Sequence, residues 1–319
     1  MKTLVVVNPN SANGSTGRKW PQIREQLMES IGSFEEKFTT ATGHATDLVR
    51  EGLNAGAQRI VSVGGDGTNN EVVNGFYDGT KPLNPQAVLG FVPRGTGGDL
   101  RKTLGIGKEL SSCLPVLAQG NVMPADLGAV EFDDHQGRRV RRLFVNITSF
   151  GIGGLVDKKV NESTKALGGK TSFFIGTVKA MFAYKNKLVN LKVTSGADVV
   201  LDEAVRVNNV AVANGQYFGG GMWVAPQAKM DDGLFDVIIL GDLTRRDLIF
   251  KGSKVYKGTH LAEKKIRMLR GTHVEGTCDE EVLIDMDGEQ PGRLPITLDV
   301  LPQAIRFIAP PPGDGESRA

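Results

Sequence analysis

The segment Val63-Gly64-Gly65-Asp66-Gly67-Thr68-Asn69-Asn70-Glu71 decides how the first half of the chain folds. It follows an apolar run at 59–63 and leads into a helical stretch at 71–76, so it reads as the turn from a buried strand into a helix. Glycines let a backbone approach phosphates closely, and the start of the next helix offers N–H groups and a positive dipole end. Asp66 cannot hold phosphate directly, but a carboxylate among phosphates makes sense when a magnesium ion lies between them. A tight strand–helix junction would use the same glycines, so the segment must be weighed with its neighbours. It is not the GxxxxGK[ST] P-loop.

Outward from that segment the pattern repeats. Residues 4–7 form an apolar strand, closed by Asn8-Pro9-Asn10-Ser11-Ala12-Asn13-Gly14 and a helix over 18–31 with Pro21 in its first turn. Phe38 ends a second strand and 43–53 reads as a helix. A further strand at 88–92 runs into Pro93-Arg94-Gly95-Thr96-Gly97-Gly98 and Asp99. Strand, glycine loop and helix thus recur three times, and the loops should gather at the carboxyl ends of the strands. Small polar side chains with Arg18 and Lys19 behind them suit the outer phosphates of a nucleotide, although a solvated turn needs no ligand.

Beyond Met123 the texture changes. Strand-like runs at 142–148, 188–193, 205–213, 235–240, 282–285 and 296–300 predict an antiparallel, sandwich-like second domain with helical insertions near 171–185 and 244–256. The expected organisation is an α/β domain over 1–125, a β-sandwich over 126–309 and a disordered tail over 310–319. Phe174, Ile175, Val178, Met181 and Phe182 recur at helical spacing among Lys170, Lys179, Lys185 and Lys187, a pattern that suits a membrane interface or a face packed on the sandwich. Arg245, Arg246, Lys251, Lys254 and Lys257 form a second cationic stretch.

The composition sets bounds. A net charge of +2 on 319 residues gives no argument for nucleic acid, so no nucleic-acid partner is expected. Two distant cysteines, Cys113 and Cys278, form neither a metal knuckle nor a disulfide framework. No stretch is long and apolar enough to span a bilayer, and the N-terminus lacks a signal peptide's apolar stretch. A cytoplasmic protein that meets a membrane from the side is expected; a homodimer is compatible with the sequence.

The order Asn8-Pro9, Gly64-Gly65-Asp66-Gly67-Thr68, Glu71-Val72-Val73-Asn74-Gly75 and Pro93-Arg94-Gly95-Thr96 resembles the diacylglycerol kinase catalytic family, which includes bacterial soluble lipid kinases and the sphingosine and ceramide kinases. Gly43-His44-Ala45, Asn214-Gly215-Gln216-Tyr217-Phe218-Gly219-Gly220-Gly221, the segment from Ala225 to Asp236 and Asp285-Met286-Asp287-Gly288-Glu289 extend the resemblance over nearly the whole chain. It implies a Rossmann-like ATP-binding domain of NAD kinase/diacylglycerol kinase type, with ATP and Mg2+ as cofactors. Asn8, Asn10, Ser11, Thr39, Gly65, Asp66, Gly67, Thr68, Asn69, Asn70, Glu71 and Thr96 would line the nucleotide site.

The resemblance also assigns Asp287 and Glu289 as the acidic pair that serves the acceptor hydroxyl, the base being either one. Asp-Gly is equally a common turn dipeptide. Asp232, with the carbonyls of Lys229 and Leu234, would be a structural magnesium site. One departure stands out: Gly97-Gly98 precede Asp99 where the family usually carries an asparagine just before the aspartate. The implied reaction is phosphorylation of a membrane lipid hydroxyl, with diacylglycerol as the default acceptor. A sphingoid base or ceramide, a soluble acceptor such as NAD, and a non-catalytic nucleotide-binding regulator are the competing readings.

Overall fold

A computed structural model describes residues 1–95, 97–156 and 184–311. Two compact units divide the chain: residues 1–126 with the chain from Gln303 onward, and residues 127–302.

The N-terminal unit is built on β1 (Thr3–Val7), α1 (Ser15–Ile31), β2 (Glu35–Phe38), α2 (His44–Asn54), β3 (Arg59–Gly64) and α3 (Asp66–Gly75). There follow a small hairpin of β4 (Tyr77–Asp78) and β5 (Lys81–Pro82), then β6 (Val88–Pro93), α4 (Asp99–Thr103), α5 (Leu110–Gln119) and the start of β7 (Val122–Asp134). Strands β6, β3, β1 and β2 pair in parallel in that order. All residues of β1, β3 and β6 are buried, as continuous apolar runs covered on both faces must be. Trp20, Ile23 and Leu27 of α1, and Ala45, Leu48, Val49 and Leu53 of α2, are buried as well.

Helix α3 begins at Asp66, five residues earlier than the apolar spacing predicted. The glycine segment is therefore the first turn of a helix and not a loop ahead of one.

The C-terminal unit continues with β8 (Arg139–Phe144), β9 (Ile147–Gly151), β10 (Lys187–Ser195), β11 (Asp198–Val207), β12 (Asn209–Ala213) and a short hairpin of β13 (Tyr217–Phe218) and β14 (Met222–Trp223). After these come β15 (Phe235–Leu240), α6 (Arg245–Tyr256), β16 (Ile266–Gly271), β17 (His273–Thr277), β18 (Ile284–Met286) and β19 (Gly292–Ile308). One sheet runs β11-β10-β17-β19-β7-β8 and the other β16-β15-β12-β9-β18. Inward side chains from both sheets, among them Phe132, Phe144, Phe150, Leu191, Val212, Phe235 and Ile296, form one apolar core. That is the expected sandwich.

Three boundaries differ from expectation. The run at 142–148 breaks into β8 and β9 at Val145-Asn146, whose N–H groups bond to the Asp287 carboxylate. The run at 205–213 breaks at Asn208, whose N–H reaches the carbonyls of Leu240 and Gly241. The chain from Gln303 to 309 groups with the N-terminal unit, where Phe307 pairs in parallel with Leu89 of β6. The helix expected near 171–185 and the tail from 312 onward lie outside the described residues; 244–256 contains α6.

Candidate active site

In the N-terminal unit the three glycine loops are tied together directly. The N–H of Asn8 donates to Val63 O at 3.0 Å, and Asn8 Nδ2 donates to Thr68 Oγ1 at 2.9 Å. The N–H of Arg94 donates to Gly64 O at 2.7 Å, while Arg94 Nη2 donates to Ser15 Oγ at 3.2 Å. Gly65 and Gly95 lie back to back: a methyl added to Gly95 would come within 2.7 Å of Gly65 Cα. Neither backbone leaves room for a side chain, which explains both glycines by packing.

Asp66, in the first turn of α3, turns its carboxylate to the third loop. Oδ2 accepts the N–H groups of Gly98 at 2.7 Å and Asp99 at 3.4 Å, and Oδ1 accepts that of Leu100 at 3.4 Å. Burial, and then the neighbouring Asp99 carboxylate, push Asp66 above the usual carboxylate range, against the pull of those three hydrogen bonds. A methyl on Gly97 would lie 2.9 Å from Asp66 Oδ2 and 3.8 Å from Asp99 Oδ2, so both acids front on one glycine. Asp99 also meets Lys102 at 3.1 Å.

Gly98, the residue that departs from the family pattern, has φ +67, and a Cβ there would meet Arg101 Nε at 2.7 Å. Arg101 occupies the space that an asparagine side chain would enter.

Side chains further along α3 face the protein. Asn69 Oδ1 accepts from Ser62 Oγ at 2.7 Å, and Asn70 accepts from Asn74 Nδ2. Glu71 takes the N–H of Ala45 at the start of α2. No side chain caps α3, and among the described residues the N–H groups of Gly67 and Thr68 find no acceptor. Asn8 Oδ1 takes the N–H of Asn10, Ser11 Oγ bonds to Asn8 O and Thr16 Oγ1, and Thr39 N–H donates to Val7 O. Thr96 lies outside the described residues.

In the C-terminal unit Asp287 and Gly288 form the two-residue turn between β18 and Glu289, with φ values of +50 and +87. Both central residues in the left-handed region define a type I′ hairpin, so the common turn dipeptide and the acidic pair are the same feature. The two acids have different surroundings. Asp287 is buried, and its oxygens accept the N–H groups of Val145 at 2.9 Å, Asn146 at 3.0 Å and Ile147 at 3.0 Å. It thereby holds the bend between β8 and β9. That bend holds the next segment, because Asn146 O accepts from the N–H groups of Asn214 and Gly215, and Asn146 Nδ2 donates to Tyr217 O at 2.6 Å. Glu289 is partly exposed and meets Arg142 Nη2 at 3.3 Å. Arg142 lies 147 positions away and gave no sign in the sequence.

Asp232 accepts the N–H of Leu234 at 3.1 Å on Oδ1, and its other oxygen pairs with Arg270, which also holds Asp236 Oδ1 at 2.9 Å. A guanidinium already supplies positive charge there, so a metal ion held by Asp232 and the carbonyls of Lys229 and Leu234 would have to displace Arg270 from Asp232. No cluster of three or more acidic, histidine or cysteine side chains capable of holding a metal occurs among the described residues.

Comparison with known proteins matches a family model to each of two parts of the chain. Residues 2–130 match the diacylglycerol kinase catalytic domain, and residues 146–309 match the YegS C-terminal NAD kinase beta sandwich-like domain. The chain belongs to the diacylglycerol kinase family, an ATP-using kinase family, and carries its sandwich domain. A diacylglycerol kinase of Bacillus subtilis (strain 168) is 25% identical over 97% of this chain and 96% of its own length. The "Probable lipid kinase YegS-like" of Klebsiella pneumoniae (strain 342) is 27% identical over 97% and 96%. The crystal structure of a diacylglycerol kinase from Bacillus anthracis str. Sterne superposes with a TM-score of 0.68 at 20% identity, covering 97% of each chain. A second structure from that organism reaches 0.74 at 23%, again over 97% of each.

Proposed function

We propose that this protein transfers the γ-phosphoryl group of ATP to a lipid hydroxyl, with diacylglycerol as acceptor and phosphatidic acid as product. The observation that carries the nucleotide half is the uncapped start of α3, where Gly67 and Thr68 present N–H groups between two glycine loops packed too tightly for side chains. The family and its relatives, named for diacylglycerol or lipid phosphorylation, supply the acceptor class.

A divalent cation could be held by Asp66 and Asp99, whose carboxylates front on Gly97; the N–H bonds that Asp66 accepts from 98–100 and the Lys102–Asp99 pair would have to give way to it. Magnesium bound there would neutralise charge on the transferring phosphoryl oxygens. Glu289 is the proton acceptor in this reading, because its carboxylate is partly exposed and Arg142 orients it. Asp287 is a positioning residue: its oxygens are committed to the 145–147 bend and thereby to the segment around Asn214.

Label from γ-labelled ATP should enter an organic-extractable product, and Glu289→Gln should abolish that transfer. Label released only as free phosphate by the unaltered chain would refute the reading.

A further inference from the structure

Phe250 is the most exposed large hydrophobic side chain among the described residues, at 78%, and its neighbour Ile249 is 61% exposed. Both lie on α6, a twelve-residue helix with no buried residue. Arg246, Ile249, Phe250, Ser253 and Lys257 recur at i, i+3, i+4, i+7 and i+11, so they form one outward stripe along and just past the helix. Leu248, Lys251, Gly252 and Val255 fall on the opposite side, and Val255 packs against an apolar cluster of the sandwich.

The charges are sorted in the same sense. Asp247 caps the helix through Thr244 and pairs with Lys251 at 3.3 Å and Lys265 at 2.9 Å. Glu263 pairs with Lys251 at 2.7 Å and Lys254 at 2.6 Å. The acids near α6 are thus neutralised by Lys251, Lys254 and Lys265. Arg246 and Lys257, at its two ends, have no acidic partner among the described residues.

The stripe joins exposed apolar side chains with a cation at each end that lacks an acidic partner among the described residues. An anionic bilayer meets both features at once: hydrocarbon receives Phe250 and Ile249, and lipid phosphates receive Arg246 and Lys257. We propose that α6 is a membrane-docking helix that seats this protein on an anionic phospholipid surface. The inference rests on the lipid-kinase reading only in that such an enzyme must reach a bilayer.

The test is flotation of the full chain with phosphatidylcholine vesicles with and without phosphatidylglycerol. The same preparations are assayed for kinase activity on vesicle-borne diacylglycerol and on a dispersed short-chain diacylglycerol. The unaltered protein should bind the anionic vesicles, and salt should release it. Ile249→Glu with Phe250→Glu should weaken binding by about tenfold or more, and Arg246→Ala or Lys257→Ala by about fivefold each at low salt. The variants should melt as the unaltered chain does and retain activity on the dispersed acceptor while losing it on vesicles. Vesicle binding unchanged in the double variant would overturn the inference, as would a shift from dimer to monomer in that variant with vesicle binding intact. Failure of the unaltered chain to bind anionic vesicles would overturn it too. Failure to phosphorylate either acceptor, with α6-dependent vesicle binding intact, would sink the kinase reading and leave the docking helix standing.

Discussion

Arg142 reaches Glu289 across 3.3 Å, while Asp287, two residues earlier in the same hairpin, has its carboxylate filled by three backbone N–H groups. Two acids that a motif treats as one pair therefore have separable jobs. One is oriented by a cation and open to a ligand; the other fixes the bend between β8 and β9.

That separation predicts opposite phenotypes. Glu289→Gln should lower kcat by about 100- to 10,000-fold with an unchanged unfolding midpoint, since the side chain is partly exposed. Asp287→Asn should cost about 1–3 kcal/mol of stability, because the amide cannot accept three N–H groups as the carboxylate does. Thermal melts beside turnover on each variant decide it. A stable, inactive Asp287→Asn with a fully active Glu289→Gln would reverse the assignment.

Gly95→Ala should destabilise the N-terminal unit by about 1–3 kcal/mol and weaken ATP binding, since the new methyl would meet Gly65 Cα at 2.7 Å. Denaturant unfolding and ATP titration of the folded variant would show both effects. Binding equal to that of the unaltered chain would mean that the two loops are not held to the spacing on which the nucleotide reading depends.

Asp66→Asn should lose transfer by about 100-fold or more and flatten the dependence of rate on magnesium, while circular dichroism shows an intact fold. Burial and Asp99 make the free carboxylate costly, and a bound cation would relieve that cost. Near-normal turnover would remove Asp66 from the account.

His273 provides a pH signature of folding. Burial opposes its charge, but hydrogen bonds to Asp299 at 2.7 Å and Glu275 at 3.0 Å outweigh that and raise it above the ordinary histidine value. A raised folded value means that the stabilisation is fully present below the unfolded pKa of about 6.5 and is lost as pH rises through the folded one. His273→Gln should cost about 0.5–1 kcal/mol at pH 5.5 and little at pH 9, by denaturant unfolding at the two values. An equal cost at both would exclude the ion pair as its source.

The buried parallel strands, and the gathering of three loops at their ends, were legible because buried runs and glycine punctuation are local signals, whereas the order β6, β3, β1, β2 was not. The antiparallel sandwich was legible from its alternating runs. The breaks at Val145-Asn146 and Asn208 were not, because each is imposed by bonds to residues distant in sequence. The site divided along the same line. Residues were nameable from motifs, but side-chain direction was not: Glu71 caps α2, and Asp232 is taken by Arg270. Arg142 was invisible for the same reason. Gly98 read as a lost amide, whereas Arg101 fills the space in three dimensions.

Whether this protein phosphorylates diacylglycerol is decided by transfer from γ-labelled ATP with magnesium into mixed micelles, with diacylglycerol, ceramide, sphingosine, NAD and no acceptor compared side by side. Labelled phosphatidic acid from the diacylglycerol sample, absent with Glu289→Gln, is the predicted result. Label in NAD alone, or only in free phosphate across every sample, would contradict it.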